Sequence, residues 1–156
     1  MPDRQSQEAS IVVGVDGSHS SQAALRWAVR QGELTGSPVH AVLAWEMPAM
    51  LGSIGWVPGP VNMKEMESGA RETLGNAIRE ALGDQGGVAL RTTVAYGTAP
   101  AVLLDAARDA SLLVVGNRGH GGFAEALLGS VGQHCTQHAT CPVVVVRSAR
   151  EAGGRG

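Results

Sequence analysis

Residues 112–123, with the sequence LLVVGNRGHGGF, decide the fold class of this chain. The run opens with four apolar residues, a pattern typical of a buried strand. Four glycines then fall within the seven positions 116–122, and glycine lets backbone N–H groups approach a bound anion closely. Farther on, Gly129-Ser130 opens a short helical pattern, and a helix start supplies unpaired N–H groups and a positive dipole end. Strand, glycine loop and helix start, in that order, predict a phosphate site.

The rest of the chain alternates short apolar runs with helical patterns. Strands are predicted at 11–15, 39–45, 88–95, 112–115 and 142–146, and helices at 18–36, 66–83, 98–110 and 130–138. Strands that alternate with helices form a parallel sheet with helical crossovers, so the predicted fold class is α/β with one open sheet.

Two loops of this predicted sheet follow the carboxyl ends of strands, where open parallel sheets bind their ligands. Asp16-Gly17-Ser18 follows the first strand, and the glycine loop follows the fourth. If these two strands are neighbours, their loops face each other across one crevice. Asp16 also has a purely structural interpretation as the cap of the first helix, a place that Ser18 or Ser20 suits equally well.

Length and composition restrict the class of protein. The 156 residues are enough for one domain with its own core, and 44% of them are hydrophobic. A net charge of −2 gives no reason to expect nucleic acid or an anionic membrane as a partner. Two cysteines, Cys135 and Cys141, are too few for a disulfide framework. The polar start and the lack of long apolar runs complete the expectation of a soluble cytoplasmic protein.

Two common phosphate motifs are excluded by the positions of the lysine and the glycines. A Walker A loop needs a lysine, and Lys64, the only lysine, lies far from the glycine loop. A dinucleotide fingerprint would follow the first strand, where residues 14–18 do not match it. The pattern that remains is Gly116-x2-Gly119-x9-Gly129-Ser130.

This pattern resembles the nucleotide-binding signature of the universal stress protein family, in its ATP-binding branch. The likeness includes residues 15–18, 118–123, 127–131 and 141–146, and it covers residues 10–147 as one domain, between a flexible start, 1–9, and a flexible tail, 148–156. It implies a Rossmann-like five-stranded parallel sheet of order 3-2-1-4-5 with helices on both faces. It also implies a homodimer that binds ATP and acts in the stress response.

The resemblance carries a set of nucleotide contacts onto the first two strands. Gly14, Val15 and Asp16 would border the adenine, ribose and phosphates. Asp16 would also help to hold Mg²⁺ or Mn²⁺ beside the phosphates. Ala44, or its neighbour Trp45, would line the adenine pocket at the end of the second strand.

The fourth strand and its loop would supply the other contacts. Val115 and Gly116 would flank the ribose and adenine, and the phosphates would be wrapped by Gly119, Gly129, Ser130 and Val131. Asn117 replaces a frequent serine and can still donate a hydrogen bond, whereas Arg118 and His120 either pair with phosphate or are solvated loop residues. Gly132 stands where the family often has Ser or Thr, which predicts weaker ATP binding or less discrimination between ATP and ADP.

Three functions remain open at this point. The first is an ATP-dependent regulatory protein with at most slow hydrolysis; cyclic AMP is also compatible, because backbone amides do not count phosphates. The second is an adenylate-handling enzyme of the wider adenine-nucleotide α-hydrolase superfamily, which would need a Ser-Gly-Gly loop or paired histidines where residues 16–19 have only His19. The third is an interaction module of the same fold that binds no nucleotide.

Other features have a structural and a functional interpretation. The Pro/Gly-rich stretch 46–62 is long enough for a lid, and its Trp56 would cover the nucleotide or a dimer partner, or lie on the surface. His134 and His138 have metal-ligand spacing, but a packed helix face that includes Val131 and Cys135 is the favoured interpretation. The apolar strand 143–146 predicts a dimer that covers an exposed sheet edge.

Overall fold

The computed structural model describes residues 9–46, 62–83, 89–118 and 128–148, and every structural statement below refers to them. Strands and helices alternate in the predicted order. The strands are β1 (Ile11–Gly14), β2 (Val39–Trp45), β3 (Leu90–Tyr96), β4 (Leu112–Gly116) and β5 (Val143–Val146). The helices are α1 (His19–Thr35), α2 (Met63–Leu82), α3 (Ala99–Ala106) and α4 (Ser130–His138).

The five strands of the described residues form one parallel sheet of order β3-β2-β1-β4-β5. This confirms the α/β fold and the strand order implied by the family resemblance. β1 lies in the centre, with Val13 opposite Ala41 of β2 on one side and Val114 of β4 on the other. The chain therefore changes direction across the sheet after β3, and the carboxyl ends of β1 and β4 lie side by side.

Helices cover both faces of the sheet because β1 and β4, at its centre, carry no polar side chain. Val13 packs in one buried cluster with residues of α1 and α2, such as Leu25 and Leu74. Its neighbour Val12 points to the other face and packs with Leu103 of α3 and residues of α4. Alternation along a strand thus builds two cores from one apolar run.

The helix ends show which side chains set the boundaries. Ser18, and not Asp16, caps α1, since its hydroxyl accepts from the Ser21 backbone N–H at 3.2 Å. Gly36 ends the helix at a φ of 75°, which favours glycine. The third predicted helix was too long at its end, because α3 stops at Ala106.

Some predictions fall on residues outside the described ranges. The lid at 46–62 and its Trp56 lie there, apart from Glu46 and Asn62. Most of the two predicted flexible termini lies there as well. No helix of the described residues is long and apolar enough to cross a membrane.

A polar chain links β2 to β3 inside the sheet. The buried His40 lies between Arg91, whose Nη2 is 3.2 Å from its Nδ1, and Thr93, whose Oγ1 is 2.7 Å from its Nε2. Because a guanidinium can only donate, Nδ1 is the acceptor and Nε2–H donates to the threonine. Burial, and then the charge of Arg91, lower the pKa of His40, so this histidine is held neutral.

Candidate functional site

The site is built where β1 and β4 end. Short backbone hydrogen bonds carry the chain beyond each strand: Val15 N–H donates to Val42 O at 2.9 Å, and Asn117 N–H donates to Val146 O at 3.0 Å. Asn117 O then accepts from Gly129 N–H at 2.7 Å, which ties the start of α4 to the end of β4. The loop after β4 and the helix start are therefore held close to each other at one edge of the sheet.

Ser20 joins the two loops that the sequence places at this edge. Its hydroxyl accepts from the Arg118 backbone N–H at 3.1 Å and donates to the Arg118 carbonyl. The Ser18 hydroxyl donates to the same carbonyl at 3.4 Å. Since Ser20 is only 4% exposed, its two bonds are partly shielded from water, and they fix the loop of β1 against the loop of β4.

Gly116 allows this close approach. A Cβ built on Gly116 would lie 2.7 Å from the carbonyl carbon and 2.8 Å from the carbonyl oxygen of Ser20, and it would also contact the Ser20 hydroxyl. These are backbone atoms of α1, so a side chain at position 116 would push the helix away from β4. The glycine is required by packing between the two loops.

A pocket opens beside these loops, with an empty volume of about 530 Å³ that includes its open mouth. It is lined by nine of the residues that the family resemblance implies: Gly14, Val15, Asp16, Ala44, Val115, Gly116, Arg118, Gly129 and Val131. They come from β1, β2, β4 and the start of α4. The topology thus brings to one cavity residues that are up to 117 positions apart in sequence (14 to 131).

Of the other predicted site residues, Asn117 and Ser130 are described and are not part of this lining. Asn117 is buried but is not part of the lining; its backbone links β4 to β5 and α4, and its Oδ1 has no hydrogen-bond partner among the described residues. Ser130 is exposed at the first position of α4, and Trp45 packs edge-on against Tyr96 at a centroid distance of 5.0 Å. Gly119 and His120 lie outside the described residues.

Sequence reasoning missed four residues that line the pocket: Ser21, Val42, Ala99 and Leu103. Gly132, which the sequence singled out for its missing hydroxyl, lines the pocket as well. Val42 had a usable signal, because it is two positions from Ala44 on the same strand and shares its face. Ala99 and Leu103 are one helical turn apart on α3, but only the packing of α3 against β1 brings them to the pocket. Leu103 lies so close that its Cδ1 would be 2.8 Å from a Cβ on Gly14.

Asp16 orders the first loop and borders the pocket. Its Oδ1 accepts from Ser18 N–H at 2.8 Å, and its own N–H donates to the Ser21 hydroxyl at 3.3 Å. The half-buried Asp16 lies at the pocket wall. Among the described residues, no group of three His, Cys, Asp or Glu side chains could hold a metal ion. One carboxylate fits the habit of Mg²⁺, which takes its other ligands from phosphates and water.

Known proteins resemble this chain over most of its length. The family model described as "Universal stress protein family" matches residues 9–147. The chain belongs to the universal stress protein family. A curated universal stress protein of Mycolicibacterium smegmatis is 33% identical over 154 residues, which cover 93% of this chain and 50% of that protein. This family member therefore spans about half the length of the curated relatives that it matches.

Solved structures of the family have the same fold. The universal stress protein UspA of Lactobacillus plantarum superposes with a TM-score of 0.70 at 22% identity, covering 89% of this chain and 97% of that one. A universal stress protein in complex with cAMP is 25% identical, with a TM-score of 0.58 and coverage of 91% and 100%. One from Archaeoglobus fulgidus in complex with dAMP is 22% identical, with a TM-score of 0.60 and coverage of 89% and 98%.

Gly132, like Asn117, stands where the family resemblance leads us to expect a different residue, in this case Ser or Thr. A Cβ on Gly132 would lie 2.5 Å from Cδ1 and 3.2 Å from Cγ of Leu128. The leucine side chain thus occupies the space that a residue at position 132 would need. Gly132 itself lines the pocket at the start of α4.

Proposed function

We propose that this universal stress protein domain, residues 10–147, binds an adenine nucleotide, ATP in the first instance, in the pocket between β1 and β4. Binding would regulate its contacts with other molecules during stress, with at most slow hydrolysis. The observation that carries the proposal is the pocket lining, which contains nine of the residues implied by the nucleotide signature.

The chemistry of the lining suits such a ligand. Val42, Ala44 and Leu103 offer apolar contacts to a purine ring. The first N–H groups of α4 have no partner within their own helix, and together with the helix dipole they suit a phosphate. Asp16 would hold Mg²⁺ or Mn²⁺ through the phosphate oxygens, which neutralises the repulsion between its carboxylate and the nucleotide.

Relatives support adenine as the base. Two of the family structures named above are complexes with cAMP and dAMP, two adenine nucleotides with a single phosphate. In our proposal, the apolar walls and backbone of the pocket recognise the adenosine part. The number of phosphates then depends on the contacts at the start of α4.

The proposal is tested by identifying any nucleotide that the protein carries and by measuring nucleotide affinity. The purified protein is denatured, the released small molecules are identified by mass spectrometry, and the empty protein is titrated calorimetrically with ATP, AMP and cAMP, with and without Mg²⁺. Ala44→Leu, which inserts an isobutyl group into the pocket, is expected to weaken binding at least tenfold. Ala101→Leu, an equal change on the exposed face of α3, is the control and should bind like the wild type.

Two results would reject the proposal. Absence of any adenine nucleotide affinity would favour an interaction module of the same fold. Equal affinity in Ala44→Leu and wild type would place the nucleotide elsewhere. Rapid, stoichiometric release of AMP or pyrophosphate from ATP would instead indicate the adenylate-handling enzyme.

We also propose a cytoplasmic homodimer that pairs through β5. Among the described strands β5 is an edge of the sheet, and an uncovered apolar edge promotes aggregation. β5 pairs with β4 through the carbonyls of Pro142 and Val146, which accept from the N–H groups of Leu113 and Asn117. Successive residues of a strand direct their backbone groups to opposite sides, so those of Val145 point to the free edge.

Val145→Pro removes a donor from that edge without removing one from the pairing with β4. We expect it to be monomeric by light scattering at micromolar concentration, whereas Val145→Thr, which retains the N–H, should remain dimeric. A monomeric wild type, or a dimeric Val145→Pro, would exclude pairing through β5. Fractionation of cells would test the cytoplasmic location.

A further inference from the structure

Two histidines form a pair on the exposed face of α4. The rings of His134 and His138 have centroids 4.6 Å apart and planes inclined by 42°. Both side chains are exposed, whereas Gly132 and Cys135 form the buried face of the same helix. The prediction of one packed stripe including both histidines was therefore wrong, and these two rings have no role in the core.

The spacing of the rings matches the needs of a metal ion. Residues i and i+4 are neighbours on one helix face, so both rings extend from adjacent turns toward the same solvent region. Imidazole nitrogens are preferred ligands of Zn²⁺, Ni²⁺ and Cu²⁺. At a Zn–N distance of about 2.0–2.1 Å, two nitrogens on one ion are about 3 Å apart, a separation that rings 4.6 Å apart reach by small side-chain rotations.

We propose that His134 and His138 form a two-imidazole site for a divalent transition-metal ion of the Zn²⁺ and Ni²⁺ type. No third His, Cys, Asp or Glu of the described residues joins them, so water molecules complete the coordination sphere. The ion is accessible and weakly held in comparison with a structural zinc. It leaves positions open for a ligand from another molecule.

Binding also affects the helix that carries the pair. The ion would clip together two turns of α4, a helix of nine residues. Val131 and Gly132 at the start of this helix line the pocket described above. Because the site needs a helical backbone, the metal binds the folded chain in preference to the unfolded one and stabilises it.

The experiment uses the full chain without a polyhistidine tag. Nickel chloride alone is titrated by calorimetry, and the melting temperature is recorded with and without the metal. We expect one ion per chain and a rise in melting temperature of about 3 °C at tenfold the dissociation constant. His134→Gln and His138→Gln are each expected to weaken binding at least fivefold.

Two further variants identify the source of binding. His19→Gln removes an exposed histidine at the start of α1 and should bind as the wild type does. Cys141→Ala removes the first His or Cys side chain after His138 in the sequence, and it should also leave nickel binding unchanged. A loss below fivefold in either His134→Gln or His138→Gln overturns the proposal. So does an equal loss in either control variant, or no wild-type binding up to 1 mM nickel.

Discussion

Gly116→Ala tests whether the contact between the loops of β1 and β4 holds the site together. The added methyl carbon would lie 2.7 Å from the carbonyl carbon and 2.8 Å from the carbonyl oxygen of Ser20. These atoms belong to the first turn of α1 and cannot rotate away as a side chain can. The helix must therefore shift relative to β4, and the pocket edge formed by both loops must widen.

The expected loss of stability has two parts. Overpacking of a closely packed site costs about 1–3 kcal/mol, and the upper end applies because the obstacle is backbone. A shift of Ser20 also lengthens its two hydrogen bonds with Arg118, each of which contributes about 1 kcal/mol. The total is about 3–5 kcal/mol, which lowers the melting temperature of a domain of this size by roughly 10–15 °C.

The assay is urea unfolding of Gly116→Ala beside Gly69→Ala. Gly69 is exposed within α2, and a Cβ there would meet nothing within 4 Å. The same methyl group should therefore stabilise the protein by about 0.5–1 kcal/mol, because alanine is the better helix former. If the same Gly→Ala change lowers the free energy of unfolding at position 116 and raises it at position 69, the difference is caused by the contact with Ser20.

A third variant identifies the obstacle. Gly116→Ala combined with Ser20→Gly removes the serine hydroxyl but retains the carbonyl group at 2.7–2.8 Å, so we expect no recovery of stability. Full recovery would mean that the side chain, and not the backbone, requires the glycine. A Gly116→Ala variant within 1 kcal/mol of the wild type would refute the reasoning altogether.

Three further predictions concern single side chains. Ser20→Ala removes the partner of the Arg118 N–H and one of the two hydroxyl donors to the Arg118 carbonyl, so urea unfolding should show a loss of about 1–2 kcal/mol; no loss would mean that water or Ser18 replaces the hydroxyl. Burial lowers the pKa of His40, so below about pH 6.5 the unfolded chain binds a proton that the folded chain resists. The free energy of unfolding should therefore fall between pH 7.5 and 5.5, less steeply in His40→Gln, and equal slopes would exclude this histidine. Burial also raises the pKa of the Cys135 and Cys141 thiols, so iodoacetamide at pH 7 should label them only after unfolding; rapid labelling of the native protein would contradict this.

The parts of the fold that the sequence predicted are those governed by local pattern. β2 and α4 have the predicted bounds, because a run that is apolar except for His40 and a Gly-Ser start define them locally. The pocket residues of β1 and β4 were predictable because parallel strands place their carboxyl ends at one edge.

The features that the sequence did not predict correctly depend on tertiary packing. Leu103 enters the pocket through the seating of α3 against Gly14, a contact that no spacing along the chain expresses. The two histidines of α4 share the helical period of Cys135, yet they are exposed while the cysteine is buried. Periodicity predicts that a face exists, but only the neighbouring elements decide how wide the buried part is.

At Gly132, the sequence pattern and the tertiary packing give different explanations for the same glycine. Comparison by position treats it as a lost hydroxyl, whereas in the structure its missing side chain makes room for Leu128, whose Cδ1 would be 2.5 Å from a Cβ at that position. A serine at position 132 would need the Leu128 side chain to rotate away from its present position. The start of α4 consequently has backbone N–H groups to offer a phosphate and no hydroxyl at this position. Backbone amides bind an anion whatever the number of its phosphates. The proposed nucleotide site should therefore select for adenosine more strongly than it discriminates between ATP and AMP.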